Sequence, residues 1–246
     1  MKQLVAYITA GFPDISFSLD AIAALKEAGV DKLELGIPFS DPVADGPIIE
    51  RANLEALNKG FKMQTLFDIS TAVAPMIETY WMGYFNPFYR KGMEAFAKQA
   101  LTCNVKGFII PDLPHEEALA YEPLMQAHHV SMISFVAPTD GKERIAKIVP
   151  HAQGFIYLVA YAGITGAHAS EDLTKTIALI KEQSQTPLFV GFGVNEKTAK
   201  ERVRGVDGVI VGSALVEVML DESLSFTERI KKIALRAKTI KEKINA

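Results

Sequence analysis

The chain has 246 residues, 49% hydrophobic and 22% charged, which suits one globular unit with a sizeable core and argues against disorder. Its 26 Lys and Arg against 29 Asp and Glu leave a formal charge of −3, without the basic surplus that nucleic acid demands, although a few backbone amides suffice for a small anion. Cys103 is the only cysteine, so an internal disulfide is excluded. With no signal-peptide core and no run of about 18 apolar residues, the expectation is a cytoplasmic protein that does not span a membrane.

Short apolar runs alternate with longer stretches of helical spacing. A strand is predicted over 4–8, then a helix over 17–25, a strand over 32–35, a helix over 66–76 and a strand over 79–82. A helix over 93–101 precedes a strand over 107–110, and a helix over 118–125 precedes a strand over 131–136. Helix 145–149, strand 155–159, helix 173–180, strand 188–190, helix 198–203 and strand 208–211 follow. The strands are nearly continuous apolar runs, as expected where a parallel sheet is buried on both faces. Eight such strands with intervening helices point to a single closed (β/α)8 TIM barrel, although an open doubly wound sheet has the same local pattern. A short extra helix is predicted over 214–219 after strand eight, and one long C-terminal helix over 223–244. In that tail Ser225 and Glu228 suit a capping box, Ile230, Ile233, Ala237, Ile240 and Ile244 form an apolar stripe, and the Lys and Arg residues read as a solvated face. No linker interrupts the pattern, so residues 1–246 are expected to form one catalytic domain.

A barrel of this kind builds its active site where the strands end. The most unusual stretch is LELGIPFSDPVADGP, residues 33–47. Glu34 interrupts an apolar strand, and a carboxylate there requires a raised pKa or a charged partner. A raised pKa suits a general acid/base; capping the strand or pairing with a buried lysine is the plainer alternative. Asp45 lies in a Pro- and Gly-rich loop, where aspartate commonly serves turn geometry. Two carboxylates in different environments are nevertheless able to divide acid and base roles.

Glycine-containing segments end three consecutive strands: Gly163 to Gly166, Gly191 to Gly193, and Gly212 with Ser213. Their amides suit a phosphate, which such barrels commonly bind after strands seven and eight beside a short extra helix. The aromatic segment from Trp81 to Pro87, with Tyr157, suits a flat ring pocket as well as core packing, and Asp112 reads as a loop-orienting or strand-ending residue. The five histidines are scattered, and there is no Rossmann or P-loop glycine motif, no nucleophile elbow and no strand-end lysine for Schiff-base chemistry.

Over nearly its full length the chain resembles the alpha subunit of tryptophan synthase. The resemblance is carried by YITAGFPD (7–14), LELGIPFSDPVADGP (33–47), GYFNPFY (83–89), PDLP (111–114), GITG (163–166), GFGV (191–194) and VGSALV (211–216). It implies a carbon–carbon lyase of tryptophan biosynthesis that cleaves indole-3-glycerol phosphate, with Glu34 and Asp45 as the catalytic pair. It further implies phosphate binding by Gly166, Phe192, Gly193, Gly212 and Ser213, and a pocket and its loops ordered by Tyr84, Asp112, Tyr157 and Thr165. Pro38, Phe39, Ser40 and Asp41 correspond to a loop facing a pyridoxal-phosphate beta subunit in an alpha2beta2 complex, the alpha chain itself needing no cofactor or metal.

Two departures stand out. The loop after strand six, close to SRSGVTG in the family, here runs Ala160-Tyr161-Ala162-Gly163-Ile164-Thr165-Gly166, without the arginine. Strand one is reached almost at once, without most of the family's preceding helix, so a different cover for the barrel floor is expected. Rival readings are a free-standing lyase releasing indole without a beta subunit, and a regulatory barrel that has lost catalysis; the intact carboxylates and glycine turns count against the latter.

Overall fold

The computed structural model describes residues 1–159 and 173–246. Among these, the strands are β1 (Gln3–Thr9), β2 (Lys32–Gly36), β3 (Glu78–Met82), β4 (Gly107–Ile109), β5 (Ser131–Met132), β6 (Ser134–Val136), β7 (Ile156–Val159), β8 (Leu188–Gly191) and β9 (Gly208–Val211). They hydrogen-bond in parallel in the order β5-β4-β3-β2-β1-β9-β8-β7-β6. The two ends of that order, β5 and β6, are separated in the chain by Ile133 alone. Ser131 and Met132 pair with β4, whereas Ser134 to Val136 pair with β7. One run, predicted as a single strand, thus serves both neighbours and closes the cylinder. The fold is the expected TIM barrel, with its fifth strand split in two.

The helices packed around it are α1 (Ile15–Glu27), α2 (Pro47–Asn58), α3 (Met63–Val73), α4 (Phe85–Lys91), α5 (Met93–Thr102), α6 (His115–Ala118), α7 (Glu122–Ala127), α8 (Lys142–Ile148), α9 (Leu173–Lys181), α10 (Ala199–Arg202), α11 (Ser213–Met219) and α12 (Phe226–Ile244). Their inner faces are apolar. Trp81 of β3 points outward into this layer, stacked on Phe108 at 5.8 Å and donating its indole N–H to Ser70 Oγ at 2.8 Å. Inside the barrel, Tyr80, Phe155 and Phe189 pack ring to ring, with centroids 5.2 and 4.8 Å apart, and fill the interior near its base.

The extra helix predicted after strand eight is α11, and the long tail helix is α12. The capping box is present: Ser225 Oγ accepts from Glu228 N at 3.3 Å, and Glu228 Oε2 accepts from Ser225 N at 2.8 Å. Not all of its cations form a solvated face. Arg229 is only 6% exposed and donates, each time at 3.0 Å, to the carbonyl of Met219, which the end of α11 leaves without a helical partner, and to that of Leu224 in the connection to α12. At the N-terminal rim of the strands, Lys241 Nζ donates to Lys2 O at 3.0 Å and Lys2 N donates to Asn245 Oδ1 at 2.8 Å, so the end of α12 is tied to the rim beside β1.

Candidate active site

A cavity of about 990 Å³ opens at the C-terminal ends of the strands. Its wall includes Glu34 of β2, Asp45 of the following loop, Tyr157 of β7, the turn Phe192–Gly193 after β8, and Gly212 and Ser213 after β9. Met82, Ile109, Phe135 and Ile210 give it apolar sides suited to a flat ring.

Glu34 faces inward because β2 alternates, with Leu33 and Leu35 packed outward against the helices. It is 3% exposed, and its Oε2 has no hydrogen-bond partner among the described residues. Lys32, the lysine nearest in sequence, is engaged instead by Glu78 at 2.6 Å. Burial first, then the charge of Asp45, pushes the Glu34 carboxyl up to about 8. Strand capping and lysine pairing therefore do not explain this residue.

Asp45 ends a turn in which its N–H donates to Pro42 O at 3.2 Å, and it stands just before Gly46, the N-cap of α2. Burial raises it to about 6, while hydrogen bonds from Tyr84 and Asn53 oppose the rise. Asn53 Nδ2 lies 3.3 Å from Asp45 Oδ2, and Tyr84 Oη accepts from Ala44 N at 3.0 Å. Tyr84 is fully buried behind this loop and stacks on Phe39 at 5.2 Å, so it supports Asp45 from outside the cavity. Pro38 is buried, Phe39 half-buried, and Ser40 and Asp41 are exposed and hydrogen-bonded to each other. Asp112 Oδ1 accepts from Phe85 N at 2.8 Å, tying the loop after β4 to the start of α4.

Across the opening, β8 and β9 are paired, which sets their glycine turns side by side. Phe192 and Gly193 both have left-handed backbones, with φ of 75° and 67°. That conformation is costly for phenylalanine and is held by its surroundings, including the 2.6 Å bond from Thr198 Oγ1 to Gly193 O. Gly212 opens α11, whose first-turn amides lack intrahelical acceptors. A methyl group at Gly191 would lie 2.3 Å from the Tyr157 hydroxyl, so the bare strand end is what admits that phenol. Gly163, Thr165 and Gly166, with the whole departure at 160–166, lie outside the described residues.

Tyr7 and Asn53 carry no functional mark of their own in the sequence. Tyr7 lines the cavity but sits in an apolar run, where an aromatic residue reads as core. Asn53 lies on α2, which was not predicted: its buried positions are Ala52, Asn53 and Ala56, and Leu54 points outward at 54% exposure, so no stripe of large apolar residues marks it. Among the described residues no three His, Cys, Asp or Glu side chains gather as a metal-ligand set, and no helix is long and apolar enough to cross a membrane.

The sequence model for "Tryptophan synthase alpha chain" matches residues 1–245. The tryptophan synthase alpha chain of Wolinella succinogenes is 54% identical over 247 aligned residues, covering 100% of this chain and 97% of the relative. That of Chloroflexus aggregans is 42% identical over 92% of this chain and 86% of its own. Among solved structures, the tryptophan synthase of Mycobacterium tuberculosis superimposes with a TM-score of 0.89 at 32% identity, covering 100% of this chain and 93% of that one. The alpha subunit of Campylobacter jejuni gives 0.86 at 33%, covering 96% and 95%. With its two raised carboxylates on the mouth of a parallel barrel and this likeness along its whole length, the chain belongs to the tryptophan synthase alpha chain family.

Proposed function

We propose that Glu34 and Asp45 are the acid–base pair with which this chain, as one catalytic domain, cleaves indole-3-glycerol phosphate to indole and glyceraldehyde 3-phosphate. The observation that carries the reading is the placement of both carboxylates, raised to about 8 and about 6, on one apolar-sided cavity facing the glycine turns after β8 and β9. A group that holds its proton near neutral pH is able to give it and take it back.

Cleavage must not expel a bare indole carbanion. Protonated Glu34 delivers its proton to the ring carbon bearing the side chain, while Asp45 accepts the proton of the indole nitrogen. The ring is now an electron sink. The Glu34 carboxylate next takes the proton of the adjacent glycerol hydroxyl, whose oxygen forms the new carbonyl as the carbon–carbon bond breaks. The released electron pair enters the ring, the nitrogen regains its proton from Asp45, and Glu34 is protonated again. Protons and charge balance over the cycle without a metal or organic cofactor.

Amides of Phe192, Gly193 and Gly212, with Gly166 and the Ser213 hydroxyl, hold the phosphate tail in this reading. Tyr157 bounds the ring, Tyr84 steadies Asp45, and Asp112 and Thr165 order the surrounding loops. The exposed end of the segment Pro38, Phe39, Ser40 and Asp41 faces a pyridoxal-phosphate beta subunit in an alpha2beta2 assembly, which consumes the indole. The cytoplasm is the compartment this reading assigns. The test is indole release from indole-3-glycerol phosphate with and without a beta subunit. Glu34→Gln and Asp45→Asn should each reduce release at least about a hundredfold with the circular dichroism spectrum unchanged. Wild-type turnover in either variant would remove that residue from the mechanism.

A further inference from the structure

Glu34 needs more than a raised pKa, because in the proposed cycle it is charged at one stage and neutral at another. A buried carboxylate that ionises without a hydrogen-bond donor is strongly disfavoured, yet Glu34 Oε2 has none among the described residues. Among the described residues, the groups that face it are few. Asp45 is an anion. The Tyr84 hydroxyl is engaged by Ala44 N and Asp45. Below, Lys32 and the Tyr80 hydroxyl both bind Glu78, at 2.6 and 2.7 Å. The Tyr157 hydroxyl feels the Glu34 charge from across the cavity, where it lies over Gly191. Tyr7 is the phenol on the strand beside Glu34.

Tyr7 and Glu34 are register partners on adjacent parallel strands, so their side chains enter the barrel side by side. The Tyr7 ring leans across β2 toward the mouth: a methyl group built on Gly36 would stand 2.2 Å from its hydroxyl oxygen. Gly36 is two residues beyond Glu34 on the same face of the strand, so a Glu34 side chain turned along the strand toward the mouth approaches the phenol, which already feels its charge. The Tyr7 hydroxyl is buried, lines the cavity, and has one hydrogen-bond partner among the described residues, Thr9 Oγ1, at the long distance of 3.5 Å. Such a donor is loosely held and free to change acceptor.

We infer that Tyr7 is a positioning residue for Glu34: its phenol donates to the Glu34 carboxylate when that group is ionised and turns back to Thr9 when Glu34 regains its proton. The inference rests on the reading of Glu34 as the acid–base group. It accounts for a polar side chain at an interior position where packing alone needs only a ring, and for the bare Gly36 beside it. Burial and the nearby carboxylates keep the phenol itself protonated, so it acts as a donor and not as a base.

The test uses the whole chain and Tyr7→Phe, which keeps the ring and removes only the hydroxyl. Infrared difference spectra against Glu34→Gln isolate the carboxyl stretch of protonated Glu34, whose loss with pH reports its titration without reference to turnover. Losing a charge-assisted hydrogen bond should move the midpoint up by about one pH unit, a tenfold change in ionisation. Thr9→Val removes the competing acceptor and should move it down. In the indole-release assay, Tyr7→Phe should lower kcat about tenfold with KM unchanged, and should cost nothing further when added to Glu34→Gln. An unmoved midpoint in Tyr7→Phe overturns the inference, as does a raised KM with kcat intact, which would place the hydroxyl on the substrate. If Glu34→Gln keeps full activity while the midpoint moves as stated, the Tyr7–Glu34 bond stands and the catalytic reading of Glu34 falls.

Discussion

Replacing Glu34 by glutamine should make the protein more stable while it abolishes turnover, and the gain should grow with pH in a defined window. The Glu34 carboxyl is 3% exposed and raised from 4.5 to about 8. Below about pH 4.5 it is protonated in both folded and unfolded chains and contributes no pH dependence. Between about 4.5 and about 8 the native state keeps the proton that the unfolded chain releases, so native stability falls as pH rises; above about 8 both states are ionised and the loss is complete. Each pH unit within the window is worth about 1.4 kcal/mol, which sets a ceiling on the order of 5 kcal/mol, lowered by any entry of water or turn of the side chain toward a donor. Glutamine has nearly the same shape and does not titrate. Urea unfolding of both chains at pH 5, 7 and 9 measures the difference directly, other ionisations cancelling between them. A difference that stays constant from pH 5 to 9 would show that Glu34 does not reside uncharged in a dry site, and the acid–base argument would lose its physical basis.

Indole release should follow a bell-shaped pH profile, rising as Asp45 ionises near 6 and falling as Glu34 loses its proton near 8; a flat profile from pH 5 to 9 would contradict both assignments. Gly36→Ala places a methyl group 2.2 Å from the Tyr7 hydroxyl and forces the phenol into the cavity, so kcat/KM should fall at least about tenfold and stability by about 1–3 kcal/mol; unchanged kinetics would mean that the ring has room to yield. Glycerol phosphate in hundredfold excess over its Kd should add about 2.7 kcal/mol of native stability and raise Tm by a few degrees, less in Ser213→Ala. No shift at millimolar ligand would count against an anion site at the turns after β8 and β9.

The barrel was legible because each strand is buried on both faces, which writes the sheet into the chain as apolar runs with little alternation. Leu188 to Val190 and Gly208 to Val211 are wholly buried, for example. The elements missed were those whose buried face is small or interrupted. α2 buries two alanines and an asparagine, and α4 carries Pro87 in its first turn. The split of the fifth strand is a property of closure: Ile133 marks where the run changes partners, and nothing in its apolar character announces that.

The same distinction separates the two carboxylates. Glu34 was visible as an anomaly, since an acid inside an apolar strand conflicts with the pattern around it. Asp45 had no such mark, because aspartate before Gly-Pro suits an ordinary turn. Its environment comes from Tyr84, 39 positions on and beyond another strand, and from Asn53 on a helix the pattern did not predict. Those two donors, with its partial exposure, hold its rise near 6, while that of Glu34, more deeply buried, facing the Asp45 charge and without a donor in this arrangement, continues to about 8. The division of labour therefore follows from where the barrel places hydrogen-bond donors. A carboxyl on the strand wall keeps its proton at neutral pH and is available to give it to a ring carbon, whereas one on the loop, already served by donors, is ionised and ready to accept the proton of the ring nitrogen. Exchanging the two environments, with the spacing in the chain left as it is, would exchange the roles.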